Sequence, residues 1–472
     1  MKNYLNQTIG FALMLMIMLI SLQFVPEGIE LGELPIRKMD IFSDIRSVHQ
    51  TIEVTDIPID TSYYAALDTS AWVQTDTITE NTLGPVPLKD SIVYGKMIED
   101  YTYDQSGLKH FFAQIDSIKT GSQVRIAWYG DSFVEGDILI GDLRDTLQSV
   151  WGGQGVGFVP VTSEVAQFKR TIKHQFKGWN TFSIIKKGGN RPALGINGYA
   201  YKPSIEASIF YEGAHYFKHT RLWTNAKLFY SSGANNRITW QLDDRVQHVD
   251  ELKSKPGVIH QWMWEGNYPG TTSISMRFAY PDSLTLYGAS LESGAGVYID
   301  NFSVRGNSGG PLGLLKPEVI QQFDRYLKYD LIVLQVGLNA VTNSLNNIRW
   351  YEAELERTFK HLRKCFPNQP ILIVSVGDRG GKLGDELGTM RGVPAIVSMQ
   401  RSLARKHGFL FYDLFWGMGG PNSMIRLAMQ RPRLANTDYT HLTHEGGKVI
   451  GFQFAGMLLE EQRRYKNQKQ FQ

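Results

Sequence analysis

Two hydrophobic rhythms divide the chain. Phe111, Ile115 and Ile118 recur at helical spacing and stop at Gly121. An apolar run of strand length follows from Val124 to Tyr129, and Ile138, Leu139, Leu143, Leu147 and Val150 then restore the helical period from Asp137 to Trp151. A strand, a tight turn and a helix in succession predict the start of an α/β sheet. Between about 165 and 304 the helical period vanishes. Short alternating runs replace it, beginning at Ser208, Ala226, Arg237, Thr272, Leu284 and Val297, with turn residues such as Ser231-Ser-Gly-Ala-Asn-Asn236 between them. Strands of that length and spacing predict an antiparallel sandwich. After Gly313 the first rhythm returns: helices at 317–326, 348–366, 393–406 and 445–464, and apolar strands at 330–336, 371–376 and 409–413. Their alternation predicts a mostly parallel, doubly wound sheet with helices on both faces. The chain therefore reads as a three-layer α/β domain over 101–164 and 305–465, interrupted by an antiparallel β-sandwich over 165–304.

The N-terminal hundred residues follow neither rhythm. Ile9 to Leu22 is an apolar run after Lys2, broken only by Ser21, and counted generously through Val25 it reaches 17 residues, the lower limit for crossing a bilayer. Residues 1–28 thus predict a secretory signal or an N-terminal membrane anchor. The anchor is favoured because no small-x-small cleavage site follows the run. Either reading puts the remainder in the periplasm or outside the cell, possession of Glu27, Glu30 and Glu33 after the run adding little. Residues 29–100 are rich in Asp, Thr and Ser, with scattered prolines, and predict an extended tether.

Composition removes several function classes. Across 472 residues, 49 basic and 46 acidic side chains leave a formal charge of +3, without the clustered basic excess that nucleic acid requires. The one cysteine, Cys365, excludes an intramolecular disulfide framework and a Cys-rich zinc site. Nothing in the sequence sets an oligomeric state.

Three short segments carry candidate chemistry, each after a strand or in a late loop. Gly130-Asp131-Ser132 follows the first strand, where a serine hydroxyl is exposed and its own N–H faces developing negative charge. The bland alternative is a helix cap, which Asp and Ser both favour. Gly337-Leu338-Asn339 follows a second strand, and its side-chain NH2 can donate to an oxyanion. As an isolated feature it reads first as a turn Asn. Asp438-Tyr-Thr-His441 sets a carboxylate three residues before an imidazole, a spacing that places both on one side of a turn and suits a base with its orienting partner. His444 competes for the base without a carboxylate three residues ahead of it.

Taken together, these segments resemble the SGNH (GDSL-like) hydrolase family. The resemblance covers about 100–160 and 300–460, and is closest to bacterial envelope members that carry a carbohydrate-binding-like β-sandwich between their first and second blocks, as peptidoglycan O-acetylesterases do. It implies Ser132 as nucleophile, His441 as base, Asp438 as its partner, and an oxyanion hole made by the N–H groups of Ser132 and Gly306 and the side chain of Asn339. Gly309, Gly310 and Gly153 compete with Gly306. The implied activity is removal of O-acetyl groups from a cell-wall or surface polysaccharide, with no metal or organic cofactor. The rival readings are an O-acetyltransferase with the same residues, and a glycan-binding protein on an inactive fold. Two features depart from the family: Phe133 stands where many relatives have His, and the stretch before Asp438 carries Arg426, Arg431 and Arg433. Those arginines read as solvated surface or as contacts to an acidic glycan. Trp179, Trp223, Trp240, Trp262 and Trp264 lie in the insert, as core residues or as platforms for sugar rings.

Overall fold

The computed structural model describes residues 97–470 except 187–190, 244, 254 and 280–282, and before them only Gly10, Phe11, Met14, Glu30–Leu31 and Leu34–Pro35. The chain divides into two units, 1–74 and 75–472. In the first, Glu30–Leu31 pairs antiparallel with Leu34–Pro35. The expected signal or anchor and most of the expected tether lie outside the described residues. Among the described residues no helix is long and apolar enough to cross a membrane.

In the second unit, β1 (Glu99–Asp100), α1 (Gly107–Ser117), β2 (Gln123–Gly130) and α2 (Ile140–Trp151) come first. After the insert come β12 (Gly296–Ser303), α3 (Pro317–Leu327), β13 (Leu331–Gln335), α4 (Ile348–Cys365) and β14 (Ile371–Val374). A short hairpin, β15 (Gly380–Leu383) and β16 (Glu386–Thr389), precedes α5 (Gly392–Lys406), β17 (Leu410–Tyr412), α6 (Leu414–Gly417), α7 (Ser423–Met429) and α8 (His444–Gln470). The main sheet runs β12-β2-β13-β14-β17-β1, parallel except for β1 at its edge. Numbering the parallel strands in chain order gives 2-1-3-4-5, the flavodoxin-like order, which reverses between β2 and β13.

Burial explains the layers. Trp128 and Tyr129 are neighbours on β2 and point to opposite faces. Trp128 meets Phe454 of α8 with ring centroids 5.1 Å apart, and Tyr129 meets Phe302 and Phe366 at 5.3 and 6.2 Å. A strand covered on both sides is apolar throughout, which is why it reads as a run rather than an alternation.

The strand boundaries differ from the sequence expectation in three places. Residues 98–100, expected in the tether, belong to the body: β1 pairs with β17, and the Ile98 N–H donates to Glu461 Oε1 at 3.2 Å. The run from Val297, expected in the sandwich, is β12, parallel to β2 along its whole length. It alternates because Asp300 is polar yet fully buried, being held by Arg125 rather than by solvent. Conversely β3 (Gln154–Val159), expected in the α/β domain, pairs antiparallel with a strand of the insert. The helix expected from Asp137 starts at Ile140, because Gly136 (φ +69°) and Asp137 (φ +61°) are left-handed.

The insert is β4 (Ile172–Ser183), β5 (Tyr199–Gly213), β6 (Asn225–Ser232), β7 (Asn236–Leu242), β8 (His248–Leu252), β9 (His260–Glu265), β10 (Ser273–Phe278) and β11 (Leu284–Ser293). With β3 they form one nine-stranded antiparallel sheet in the order β8-β7-β10-β5-β11-β6-β9, β3 joining β11 and β4 joining β5. The sheet curls so that its two ends meet. Trp240 of β7 and Trp262 of β9 lie 5.5 Å apart, and both indole N–H groups donate to Asp250 Oδ2 at 2.8 Å. The core it encloses includes Tyr201, Ile209, Leu228, Met276 and Leu286. Trp223 and Trp262 are buried in it, whereas Trp179, Trp240 and Trp264 pack at its margin.

Candidate active site

The sheet order reverses between β2 and β13, and a ligand crevice forms beyond the strand ends at such a point. Two candidate segments leave those strands side by side. Asp131 joins them: its Oδ1 accepts the Phe133 N–H at 2.9 Å and its Oδ2 accepts the Leu338 N–H at 3.3 Å. Glycine is required on both sides. A Cβ on Gly130 would stand 2.2 Å from Val134 Cγ2, and Gly337 has φ +130°. Burial pushes the Asp131 carboxyl up to about 6, against the pull of those two N–H groups and of His441.

The third segment lies 309 positions from Ser132 and arrives as a tight backbone loop. The Asn436 N–H donates to His441 O at 2.8 Å and the Tyr439 N–H to Asn436 O at 3.0 Å, with Tyr439 left-handed at φ +51°. This loop turns the carboxylate and the imidazole toward each other. Asp438 Oδ1 accepts the N–H groups of Thr440 (2.9 Å) and His441 (3.1 Å), and Oδ2 stands 2.7 Å from His441 Nδ1. His441 Nε2 stands 2.9 Å from Ser132 Oγ. Ser132, His441 and Asp438 therefore form one hydrogen-bonded line. Burial acts to raise the Asp438 carboxyl, but the bonds from His441 and Thr440 outweigh it and hold it below the ordinary carboxylate range. Among the described residues none accepts a hydrogen bond from the Ser132 N–H. His444, the competing imidazole, begins α8 and takes no part in this line.

Gly306 sits in the turn that follows β12. The Asn307 N–H donates to Val304 O (3.0 Å), and the turn is tied to Gly130 O by the Val304 N–H (3.1 Å) and by Asn307 Nδ2 (3.4 Å). Gly306 has φ +81° and open space around it. Its rivals are otherwise engaged. The Gly309 N–H donates to Asn307 Oδ1 at 2.9 Å, Gly310 packs on Glu354, and Gly153 abuts Val297 at the opposite end of β12. Asn339 is exposed, and its Nδ2 donates to Asn307 O at 3.3 Å. Sequence reasoning missed Asn307, which is fully buried and ties Gly130, Gly309 and Asn339 together. Its position directly after Gly306 was the available signal. It also missed Arg379, whose guanidinium donates to Leu338 O at 2.9 Å, while the next residue's N–H, that of Gly380, donates to Tyr439 O at 2.8 Å. That dipeptide links the second and third segments. Of the three arginines before Asp438, Arg426 caps its own loop through Pro421 O (2.6 Å) and Gly419 O (2.8 Å), and Arg431 donates to Met429 O and Gln430 O.

No protein-family model and no curated protein sequence matches the chain. Solved structures do. A peptidoglycan O-acetylesterase superposes with a TM-score of 0.62 at 18% identity, covering 78% of this chain and 99% of that one. The chain shares the fold of that structure. A family two carbohydrate esterase from Clostridium thermocellum (10% identity, 56% of this chain, 95% of that one) and a GDSL-like lipase from Parabacteroides merdae (18%, 35% and 72%) each match with a TM-score of 0.25. At that score neither adds to the fold assignment.

Proposed function

We propose that this SGNH-fold chain is a serine esterase that removes O-acetyl groups from a cell-wall or surface polysaccharide. The observation that carries the reading is the Ser132–His441–Asp438 line, with its 2.9 and 2.7 Å contacts, at the point where the strand order reverses. His441 Nε2 takes the proton of Ser132 Oγ as that oxygen attacks the ester carbonyl. Asp438 keeps the proton of the imidazole on Nδ1 and stabilises the imidazolium. The N–H groups of Ser132 and Gly306 and the Asn339 amide receive the charge on the carbonyl oxygen. His441 returns its proton to the leaving sugar hydroxyl. An acetyl-serine remains, and water attacks it with His441 as base to release acetate. The fold shared with a peptidoglycan O-acetylesterase supports the substrate class, and with it a location in the periplasm or outside the cell. On this reading residues 9–25 direct the chain there.

The test is acetate release by the full chain from p-nitrophenyl acetate and from O-acetylated peptidoglycan, with a fluorophosphonate probe alongside. We expect release from both substrates, complete inhibition by the probe, and its mass added at Ser132. Absence of release from either substrate, or labelling elsewhere with activity retained, would refute the reading. Asn339→Ala is expected to lower kcat about 10²–10³-fold, the usual loss for one oxyanion donor, with KM little changed. Steady-state kinetics on p-nitrophenyl acetate measure that split, and an equal kcat would remove Asn339 from the oxyanion hole.

A further inference from the structure

A cleft of about 540 Å³ lies between the curled sheet and the α/β body. Its floor is built from the two loops that flank the candidate oxyanion hole. Glu135 and Gly136 come three and four residues after Ser132, and Ser303 to Arg305 end one residue before Gly306. The loops that leave Ser132 and lead into Gly306 thus also line the cleft, together with β4 and β5 of the insert.

Its walls combine two chemistries. Phe176, Trp179 and Tyr199 from β4 and β5 supply aromatic surface. Trp179 is held in one orientation, because its indole N–H donates to Ser208 O at 2.9 Å and its ring meets Phe278 edge-on at 5.4 Å. Phe176 is exposed. Of the five tryptophans in the insert, Trp179 alone lines this cleft. A fixed aromatic face beside the hydroxyls of Thr162 and Ser163 suits a pyranose ring, with its apolar C–H face and polar rim. Charge supplies the second chemistry. Arg305 pairs with Glu135 at 2.5 Å, and Lys177 pairs with Glu206 at 2.9 Å. The exposed Lys186 ammonium has no carboxylate within ion-pair distance among the described residues, whereas Lys169 is drawn to Asp137 and Glu135. Four cationic side chains, Lys169, Lys177, Lys186 and Arg305, line the cleft against two carboxylates, Glu135 and Glu164, an excess that favours a ligand bringing negative charge of its own.

We propose that this cleft is a subsite for the glycan that flanks the acylated sugar, with Phe176 and Trp179 against the rings and Lys186 facing a carboxylate on the chain. The subsite rests on the esterase reading for its role, but its occupancy does not depend on turnover. The test therefore measures binding without chemistry. Full-length Ser132→Ala is titrated calorimetrically with an unacetylated tetrasaccharide of alternating N-acetylglucosamine and N-acetylmuramic acid, which carries lactyl carboxylates. Chitotetraose, with the same backbone and no carboxylate, is the comparison. The tetrasaccharide binds, chitotetraose binds about tenfold more weakly, and adding Phe176→Ala or Lys186→Ala weakens the tetrasaccharide about tenfold, the scale of one lost contact. Both side chains are exposed, so thermal unfolding of the variants should match that of the parent. No binding of the tetrasaccharide, equal binding of chitotetraose, or unchanged affinity in both folded variants would overturn the proposal. Failure of the esterase reading is distinguishable, because it appears as absent acetate release by the wild type and leaves this titration readable.

Discussion

Asp438→Asn is expected to keep its fold and to lower kcat about 10⁴-fold on p-nitrophenyl acetate, the scale seen when a triad carboxylate becomes an amide. The reason lies in which atoms the side chain serves. Asp438 Oδ1 accepts two backbone N–H groups, from Thr440 and His441. In the variant the amide oxygen must stay there, since its NH2 group would otherwise face two donors. The NH2 then points at His441 Nδ1, which stands 2.7 Å from Oδ2 in the wild type. Nδ1 becomes an acceptor and the proton moves to Nε2. With Ser132 Oγ 2.9 Å away, Nε2–H donates to the hydroxyl and cannot take its proton. The loop itself is held by backbone bonds, so stability should change little. Ser132→Ala combined with Asp438→Asn should lose hardly more than Ser132→Ala alone, because the residues act as a unit. A kcat within tenfold of wild type for Asp438→Asn would remove Asp438 from the mechanism.

What the sequence disclosed and what it concealed follow from the range of the interactions. Ser132, Asn339 and the Asp438–His441 pair each sit in a local segment with its own turn chemistry, and three such segments, two at strand ends and one in a late loop, suffice to suggest that they converge. The buried parallel strands were legible because coverage on two faces makes them continuously apolar. Strand β12 was not. Its alternation came from Asp300, whose partner Arg125 lies 175 positions away, so a polar residue in the core was indistinguishable from one facing water. The same range hid Asn307 and Arg379. Each acts by holding another loop's backbone, and neither residue type is unusual where it stands. The 540 Å³ cleft was hidden for a related reason: it is a space between elements, and only the curl of the nine-stranded sheet brings β4 over the loop after Ser132.

The ion cluster around Arg125 should carry the largest single effect on stability. Arg125 is fully buried on β2, with both carboxylate oxygens of Asp300 on β12 at 2.9 and 3.0 Å, and it also bonds Glu292 of β11. Lys227 of β6 reaches Glu292 as well, and Asp300 further accepts the Phe158 N–H (2.9 Å) and the Tyr329 hydroxyl (2.7 Å). The cluster thus fastens the curled sheet to the parallel sheet through charges that water cannot reach. Arg125→Met leaves two buried carboxylates short of a cation, and breaking a buried pair in that way costs about 3–5 kcal/mol. Acid should reverse part of this loss. Burial acts to raise the Glu292 carboxyl, but Arg125 and Lys227 outweigh it and bring it down to about 2. A lowered folded-state value means that the wild-type contribution is present above the unfolded value near 4.5 and is lost as pH falls toward about 2. In Arg125→Met the Glu292 carboxylate loses the cation that chiefly holds it down and protonates more readily, so the variant gains on the wild type over the same interval. Urea unfolding at pH 7 should show the full deficit, and at pH 4 a smaller one. Adding Glu292→Gln and Asp300→Asn to Arg125→Met removes the charges and should recover part of the deficit at pH 7. A single variant as stable as wild type at pH 7, or a gap that widens in acid, would mean that the cluster does not hold the two sheets together by its charges.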